Sequence, residues 1–84
     1  GLIWKSYDVA DLMPEAHALA AEFAAGATMA YAGTKTLMKH AANHDFDAHL
    51  DNEAAIQQTC GQSDDYAEGV RAFLAKRPAQ FTGK

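Results

Sequence analysis

The chain has 84 residues and a net charge of −4, and 49% of its residues are hydrophobic. Nearly half of these hydrophobic residues are alanine, so few large side chains remain to form a core. This length allows one small domain and excludes two, and a domain of this size buries only roughly 60% of its unfolded surface. The composition therefore indicates a chain that packs against protein outside these 84 residues.

The sequence also argues against several classes of protein. A single cysteine, Cys60, cannot form an internal disulfide, which argues against a disulfide-stapled secreted domain and favours a reducing, cytoplasmic location. No apolar run approaches the roughly 20 residues of a membrane span, and no signal-peptide pattern opens the chain. The acidic balance is not that of a nucleic-acid binder, which normally carries a basic stripe.

Residues 1–7, which read GLIWKSY, open the chain with β-branched and aromatic types. Their weak alternation predicts a short strand or an extended lead-in. Because the chain starts there without an initiator methionine, we expect it to be a fragment of a longer protein.

The first helix is predicted from its capping residues and its apolar spacing. Asp8 or Asp11 can accept a hydrogen bond from the free amides of the first turn. Pro14 then falls in that turn, where its missing N–H is harmless, and Gly26 is a natural left-handed residue after the last turn. One helical face carries Leu12, Ala16, Leu19 and Phe23.

Two central helices are predicted over about Thr28–Ala42 and Phe46–Gln62, with a break at residues 43–45. Glu53 is the charged residue on the apolar face of the second of these helices. We expect it to be a buried carboxylate paired with an Arg, a Lys or the start of another helix rather than a catalytic group. Cys60 on the same face is expected to be a small buried hydrophobe.

A fourth helix is predicted to start near Ser63 and to stop at Pro78. Asp65 and Glu68 have the spacing of a capping box, in which the second side chain returns to the amide of the first residue. The predicted fold is therefore all-α, with about four helices after a short extended segment. The predicted buried stripe of the fourth helix consists of Tyr66, Val70, Phe73 and Leu74.

Histidines near the predicted break suggest one alternative, a metal site. His40 and His44 lie one helical turn apart, and His49 follows closely. Because the helix is predicted to break near Asn43 and no cysteine assists, a polar corner between helices is the favoured interpretation. No metal ligand is predicted.

The closing segment, SDDYAEGVRAFLAKRPAQFTG, has the pattern S/T-x-D-x-x-E-G-x-x-A-F-x-x-K-R-x-x-x-F-x-G. This pattern resembles the end of the enoyl-CoA hydratase/isomerase family, the crotonase superfamily. The upstream segments GLI, LMPEAHALAAEFAAGATMAYAGTK and L-x-x-E resemble that family in the same order, so the resemblance covers the whole chain. Within the superfamily, GLIWK and DYAEGVRAFLAKRP resemble epoxyphenylacetyl-CoA isomerases of phenylacetate degradation.

The resemblance implies that the chain is the C-terminal helical region of a longer enzyme. Members act on acyl-coenzyme A without a tightly bound cofactor, in fatty acid or phenylacetate catabolism. Their oxyanion-hole amides and proton-moving carboxylates lie in a preceding β/α spiral domain that has no counterpart here. No catalytic residue is therefore assigned, and the 84 residues alone are expected to be inactive. The corresponding region packs on the spiral domain and on sister subunits of a homotrimer or dimer of trimers.

Two residues are carried over as coenzyme A-binding positions. In relatives, the aromatic and the lysine of A-F-x-x-K-R contact the adenine and 3′-phosphate end of coenzyme A across a subunit boundary, and here these are Phe73 and Lys76. The structural alternatives to coenzyme A contact are core packing for Phe73 and a solvated charge at the helix end for Lys76. Arg77 is expected to form a salt bridge or a C-cap. A second adenine-stacking aromatic of some hydratases is replaced here by Gln57.

An alternative function is an independent helical module for protein–protein interaction, without catalysis. If the chain is instead a fragment removed from the spiral domain, the apolar faces of its helices should be partly uncovered. Exposed patches of this kind promote association, so we expect self-association, with exchange of helices between copies as one route.

Overall fold

The protein is described here by a computed structural model that covers all 84 residues, and it is all-helical. The helices are α1 (Val9–Ala25), α2 (Thr28–Ala41), α3 (Phe46–Gly61) and α4 (Asp64–Leu74). Residues 1–8 are non-helical and form no strand, so the extended lead-in is confirmed and the short strand is not. None of the helices has both the length and the apolar character needed to cross a lipid bilayer.

The start of α1 differs from the prediction in two respects. Asp8 is the N-cap residue, but its carboxylate makes no capping bond, and its carbonyl accepts from the amides of Asp11 and Leu12. Because the helix begins at Val9, Pro14 lies inside it rather than in its first turn. The proline ring removes one backbone donor there, which weakens the helix interior.

Gly26 ends α1 in an extended conformation, with φ −87°, so the predicted left-handed cap is wrong. The residue has a different role at this corner. A Cβ at position 26 would lie 2.6 Å from Cε2 of Tyr31. The Tyr31 ring packs edge-on against Phe23, with centroids 5.6 Å apart. Glycine is needed here because an aromatic ring crosses the backbone closely.

Helices α2 and α3 pack together most extensively, and a glycine allows their close approach. A Cβ at Gly33 would lie 2.6 Å from Cγ2 of Ile56, so the Ile56 side chain of α3 packs directly on the backbone of α2. The predicted ends of both helices are correct to within a residue. Asp45 caps α3 by accepting from the amide of Ala48 at 2.9 Å.

Helix α4 is capped by Ser63, so the predicted capping box of Asp65 and Glu68 is wrong. The Ser63 hydroxyl accepts from the amide of Tyr66 at 3.0 Å. The same hydroxyl donates to the carbonyl of Cys60 at 2.6 Å, which ties α4 to the end of α3. The two acidic side chains are therefore free to bind other groups.

The end of α4 comes at Leu74, before the predicted stop at Pro78. The amide of Lys76 donates to the carbonyl of Phe73, and the amide of Arg77 donates to that of Ala72. These two bonds form a Schellman motif, which normally places glycine at the left-handed position. Here Lys76 occupies it, with φ 51°.

The helices do not enclose a core. Only Ala72 and Asp65 are buried, with 2% and 4% of their surfaces exposed. The accessible surface is 6995 Å², whereas a compact protein of this mass has about 4,900 Å². The predicted buried stripe of α4 is therefore wrong for the isolated chain: Tyr66, Val70, Phe73 and Leu74 are all exposed.

Candidate functional site

An apolar groove lies between the start of α2 and one face of α4. These two helices do not contact each other, and Cys60 of α3 lines the gap between them. We call this gap the α2–α4 groove; its volume is about 430 Å³. Its wall includes side chains from all three helices and from the C-terminal tail, among them Met29, Cys60, Tyr66, Val70, Phe73 and Phe81.

The two predicted coenzyme A-binding residues lie together at the C-terminal end of α4. Phe73 lines the α2–α4 groove with 82% of its surface exposed, so the core-packing interpretation is wrong for the isolated chain. Lys76 follows in the left-handed turn and is also exposed. The Phe73 ring is thus exposed on the wall of the groove, and the exposed Lys76 follows it three residues later in the chain.

The guanidinium of Arg77 is not free, because it binds Glu68. Its two terminal nitrogens donate to the two carboxylate oxygens at 2.6 and 2.9 Å, which confirms the predicted salt bridge. Glu68 also accepts from the amide of Gln80 at 3.0 Å, and its side chain is only 14% exposed. The hydrogen bonds from Arg77 and Gln80 lower the pKa of Glu68 to about 2, and Glu68 in turn raises the pKa of Arg77.

The C-terminal tail is fastened to the start of α4 by the buried carboxylate of Asp65. One oxygen accepts from the amide of Thr82 at 2.7 Å, and the other accepts from the amide of Gly83 at 2.9 Å. The amide of Asp65 donates to the carbonyl of Lys84 at 2.9 Å. These bonds hold Phe81 against the α2–α4 groove.

Glu53 has no cationic partner, contrary to the expected pairing. It is partly buried, and its carboxylate accepts from Nε2 of Gln57 at 3.2 Å. Gln57 is exposed and is engaged in this bond. Cys60 is partly rather than fully buried and lines the α2–α4 groove.

The histidines lie where α2 turns towards α3. The rings of His40 and His44 are 5.1 Å apart, and Nδ1 of His44 donates to the carbonyl of His40 at 3.0 Å. Nδ1 of His49 is buried without a hydrogen-bond partner. No group of three or more His, Cys, Asp or Glu side chains could hold a metal ion.

Sequence reasoning missed the roles of Asp65 and Glu68 in anchoring the tail. Their spacing also fits a capping box, and Ser63 is an equally good capping residue two positions earlier. The one feature of the sequence that could have indicated these roles is that Asp65, Glu68, Arg77 and the tail all belong to the same closing motif. That motif does not show which carboxylate binds which partner.

Comparison with known proteins shows to which family the chain belongs. A family model described as enoyl-CoA hydratase/isomerase matches residues 1–84. A probable enoyl-CoA hydratase of Rhodobacter capsulatus is 40% identical over 84 residues, and 1,2-epoxyphenylacetyl-CoA isomerase of Escherichia coli K12 is 42% identical over 84 residues. Both alignments cover the whole of this chain, which spans about a third of each relative (33% and 32%). The chain belongs to the enoyl-CoA hydratase/isomerase family.

Proposed function

We propose that this chain is the C-terminal helical region of a longer cytoplasmic enzyme that acts on acyl-coenzyme A thioesters. In this proposal residues 1–84 form contacts between subunits of a homotrimer or dimer of trimers and complete one edge of the coenzyme A site. A preceding β/α spiral domain supplies the oxyanion hole and the proton-moving carboxylates. Support comes from the family match and from the one-third coverage of the relatives.

The observation that carries the proposal is that Phe73, on the wall of the α2–α4 groove, and Lys76, in the turn that follows α4, are both exposed. The 3′-phosphate of coenzyme A is an anion that an ammonium can bind by charge-assisted hydrogen bonds. Adenine is a flat aromatic group that can pack on Phe73. Arg77 is occupied by Glu68, so Lys76 is the free cation of this basic pair.

Replacement of Lys76 by alanine in the longer enzyme tests this role. Lys76→Ala should raise KM for acyl-coenzyme A more than it lowers kcat, because the contact is remote from the reacting carbons. Steady-state kinetics with the coenzyme A thioester measure both quantities. An unchanged KM would remove Lys76 from the coenzyme A site.

The isolated 84 residues are proposed to be inactive. None of their carboxylates is assigned to proton transfer, and the oxyanion-hole amides are proposed to lie in the preceding domain. Purified 84-residue chain should therefore give no turnover of crotonyl-coenzyme A above the buffer rate. Measured turnover would contradict the proposal that the catalytic groups lie in the preceding domain.

A second candidate function is a helical interaction module that binds no coenzyme A. The exposed apolar wall of the α2–α4 groove favours it, because large uncovered apolar patches mark protein-binding surfaces. The genomic reading frame separates the candidates. A preceding region with a Gly-rich oxyanion loop supports the enzyme, whereas a stop codon directly before Gly1 supports the module.

A further inference from the structure

The left-handed turn at Lys76 lies between two anchored segments. On one side α4 ends with the Schellman bonds to Phe73 and Ala72. On the other side the chain is bound by Glu68, which accepts from both terminal nitrogens of Arg77 and from the amide of Gln80. One carboxylate thus binds both ends of the four-residue segment that follows the turn.

A lysine in this conformation needs such support. The left-handed region is unfavourable for residues with a Cβ, and glycine is the usual residue at this position. A strained residue persists where the surroundings fix it, and such residues are frequent at ligand sites. The bidentate pair of Glu68 and Arg77 supplies a rigid planar contact that fixes the direction of the chain after Lys76.

We propose that Glu68 and Arg77 are positioning residues for coenzyme A: their ion pair fixes the turn that presents the Lys76 ammonium to the 3′-phosphate. This inference rests on the proposed function of Lys76. Arg77 acts here through Glu68 and does not itself contact the phosphate. The pair is therefore expected to matter for the nucleotide end of the ligand and not for the acyl end.

Binding of coenzyme A and of 3′-dephospho-coenzyme A to the longer enzyme, measured by calorimetry, tests the proposal. The two ligands differ only in the phosphate that Lys76 is proposed to bind. Lys76→Ala should weaken coenzyme A binding about tenfold, in the range of a hydrogen bond between charged groups, and leave dephospho-coenzyme A unchanged. Glu68→Gln should weaken coenzyme A binding about threefold to tenfold, with the same selectivity.

A matched pair of conservative variants separates positioning from charge. Arg77→Lys keeps the charge but cannot form the bidentate contact, so it should reproduce Glu68→Gln. Arg71→Lys is the control, because Arg71 is mostly exposed and lies 3.7 Å from the same carboxylate. It should leave both affinities unchanged. In a Lys76→Ala background, Glu68→Gln should weaken binding no further, because its effect passes through Lys76.

The outcomes distinguish the two levels of the hypothesis. If Lys76→Ala has no effect on coenzyme A affinity, the proposed function of Lys76 fails, and the positioning role fails with it. If Lys76→Ala weakens binding and Glu68→Gln does not, only the positioning role fails. Tighter binding by Glu68→Gln would indicate that the released guanidinium of Arg77 contacts the phosphate directly. Equal weakening of both ligands would indicate general loss of structure and would also overturn the positioning role.

Discussion

Lys76 combines an unfavourable backbone conformation with a proposed ligand contact. A left-handed conformation costs a residue with a Cβ about 1–2 kcal/mol, and glycine escapes this cost but loses more chain entropy on folding. Lysine at φ 51° is therefore a poor choice for stability alone. The preference for lysine is explained if its ammonium binds the 3′-phosphate.

Lys76→Gly should consequently change stability and ligand affinity in opposite directions. The turn should become more stable by about 1 kcal/mol, which slows hydrogen exchange of the Arg77 amide about fivefold. Affinity for coenzyme A should fall as it does for Lys76→Ala, which loses the ammonium but keeps the strain. Unchanged affinity together with a more stable turn would show that the lysine has no role in binding.

The ion pair of Glu68 and Arg77 should persist to unusually low pH. The folded-state pKa of Glu68 is lowered from 4.5 to about 2, chiefly by hydrogen bonds from Arg77 and Gln80. A lowered folded-state pKa stabilises the protein fully above about pH 4.5, and this contribution is lost as the pH falls towards 2. A carboxyl titration by NMR should give a midpoint near 2 for Glu68.

The matched variant for this titration is Arg77→Gln, which removes the guanidinium that contributes most to the lowered pKa of Glu68. The Glu68 midpoint should then move upward towards 4.5. A midpoint near 4.5 in the unaltered protein would mean that the pair does not form in solution.

The sequence predicted the salt bridge of Arg77 as a possibility and placed Phe73 and Lys76 near each other. It did not predict the anchoring roles of Asp65 and Glu68, because side-chain partners 12 to 18 residues away have no local pattern. The left-handed turn at Lys76 was also missed, because such turns are predicted from glycine and this position carries lysine.

At the scale of the helices, local patterns were sufficient to predict the number of elements and most of their bounds. Apolar spacing and breaks at polar or glycine residues predict helices because both depend on near neighbours. The buried stripe of α4 was wrong for a physical reason. Periodicity shows that a helix face is apolar, but it does not show whether the same chain covers that face.

The contact between α2 and α3 should depend on the absence of a side chain at position 33. Gly33→Ala improves helix propensity by about 1 kcal/mol but forces Cγ2 of Ile56 to move, and overpacking of this kind costs about 1–3 kcal/mol. We expect a net loss of free energy of unfolding, measured by chemical denaturation of the longer enzyme.

Gly61→Ala is the control, because a Cβ there meets no atom within 4 Å. It should be neutral or slightly stabilising. A stabilising effect of Gly33→Ala as large as that of Gly61→Ala would mean that the two helices do not approach as closely as described.

At the scale of the whole molecule, the chain is open rather than compact. Its radius of gyration is 16.1 Å, whereas a compact domain of this length has about 12 Å. Its accessible surface of 6995 Å² exceeds the compact value by about 2,000 Å², which is more than twice the roughly 800 Å² that one partner buries in a standard protein–protein interface. This open arrangement supports the proposal that the alanine-rich helices pack on other protein.

Sedimentation velocity of the purified 84-residue chain over a concentration series tests most directly whether these helices need other protein to cover them. The exposed apolar wall of the α2–α4 groove predicts self-association that increases with concentration. Species of two or more copies of the 9.0 kDa chain should therefore appear. A compact, cooperatively folded monomer at the highest concentration would contradict the view that this chain is an interface-forming part of a larger enzyme.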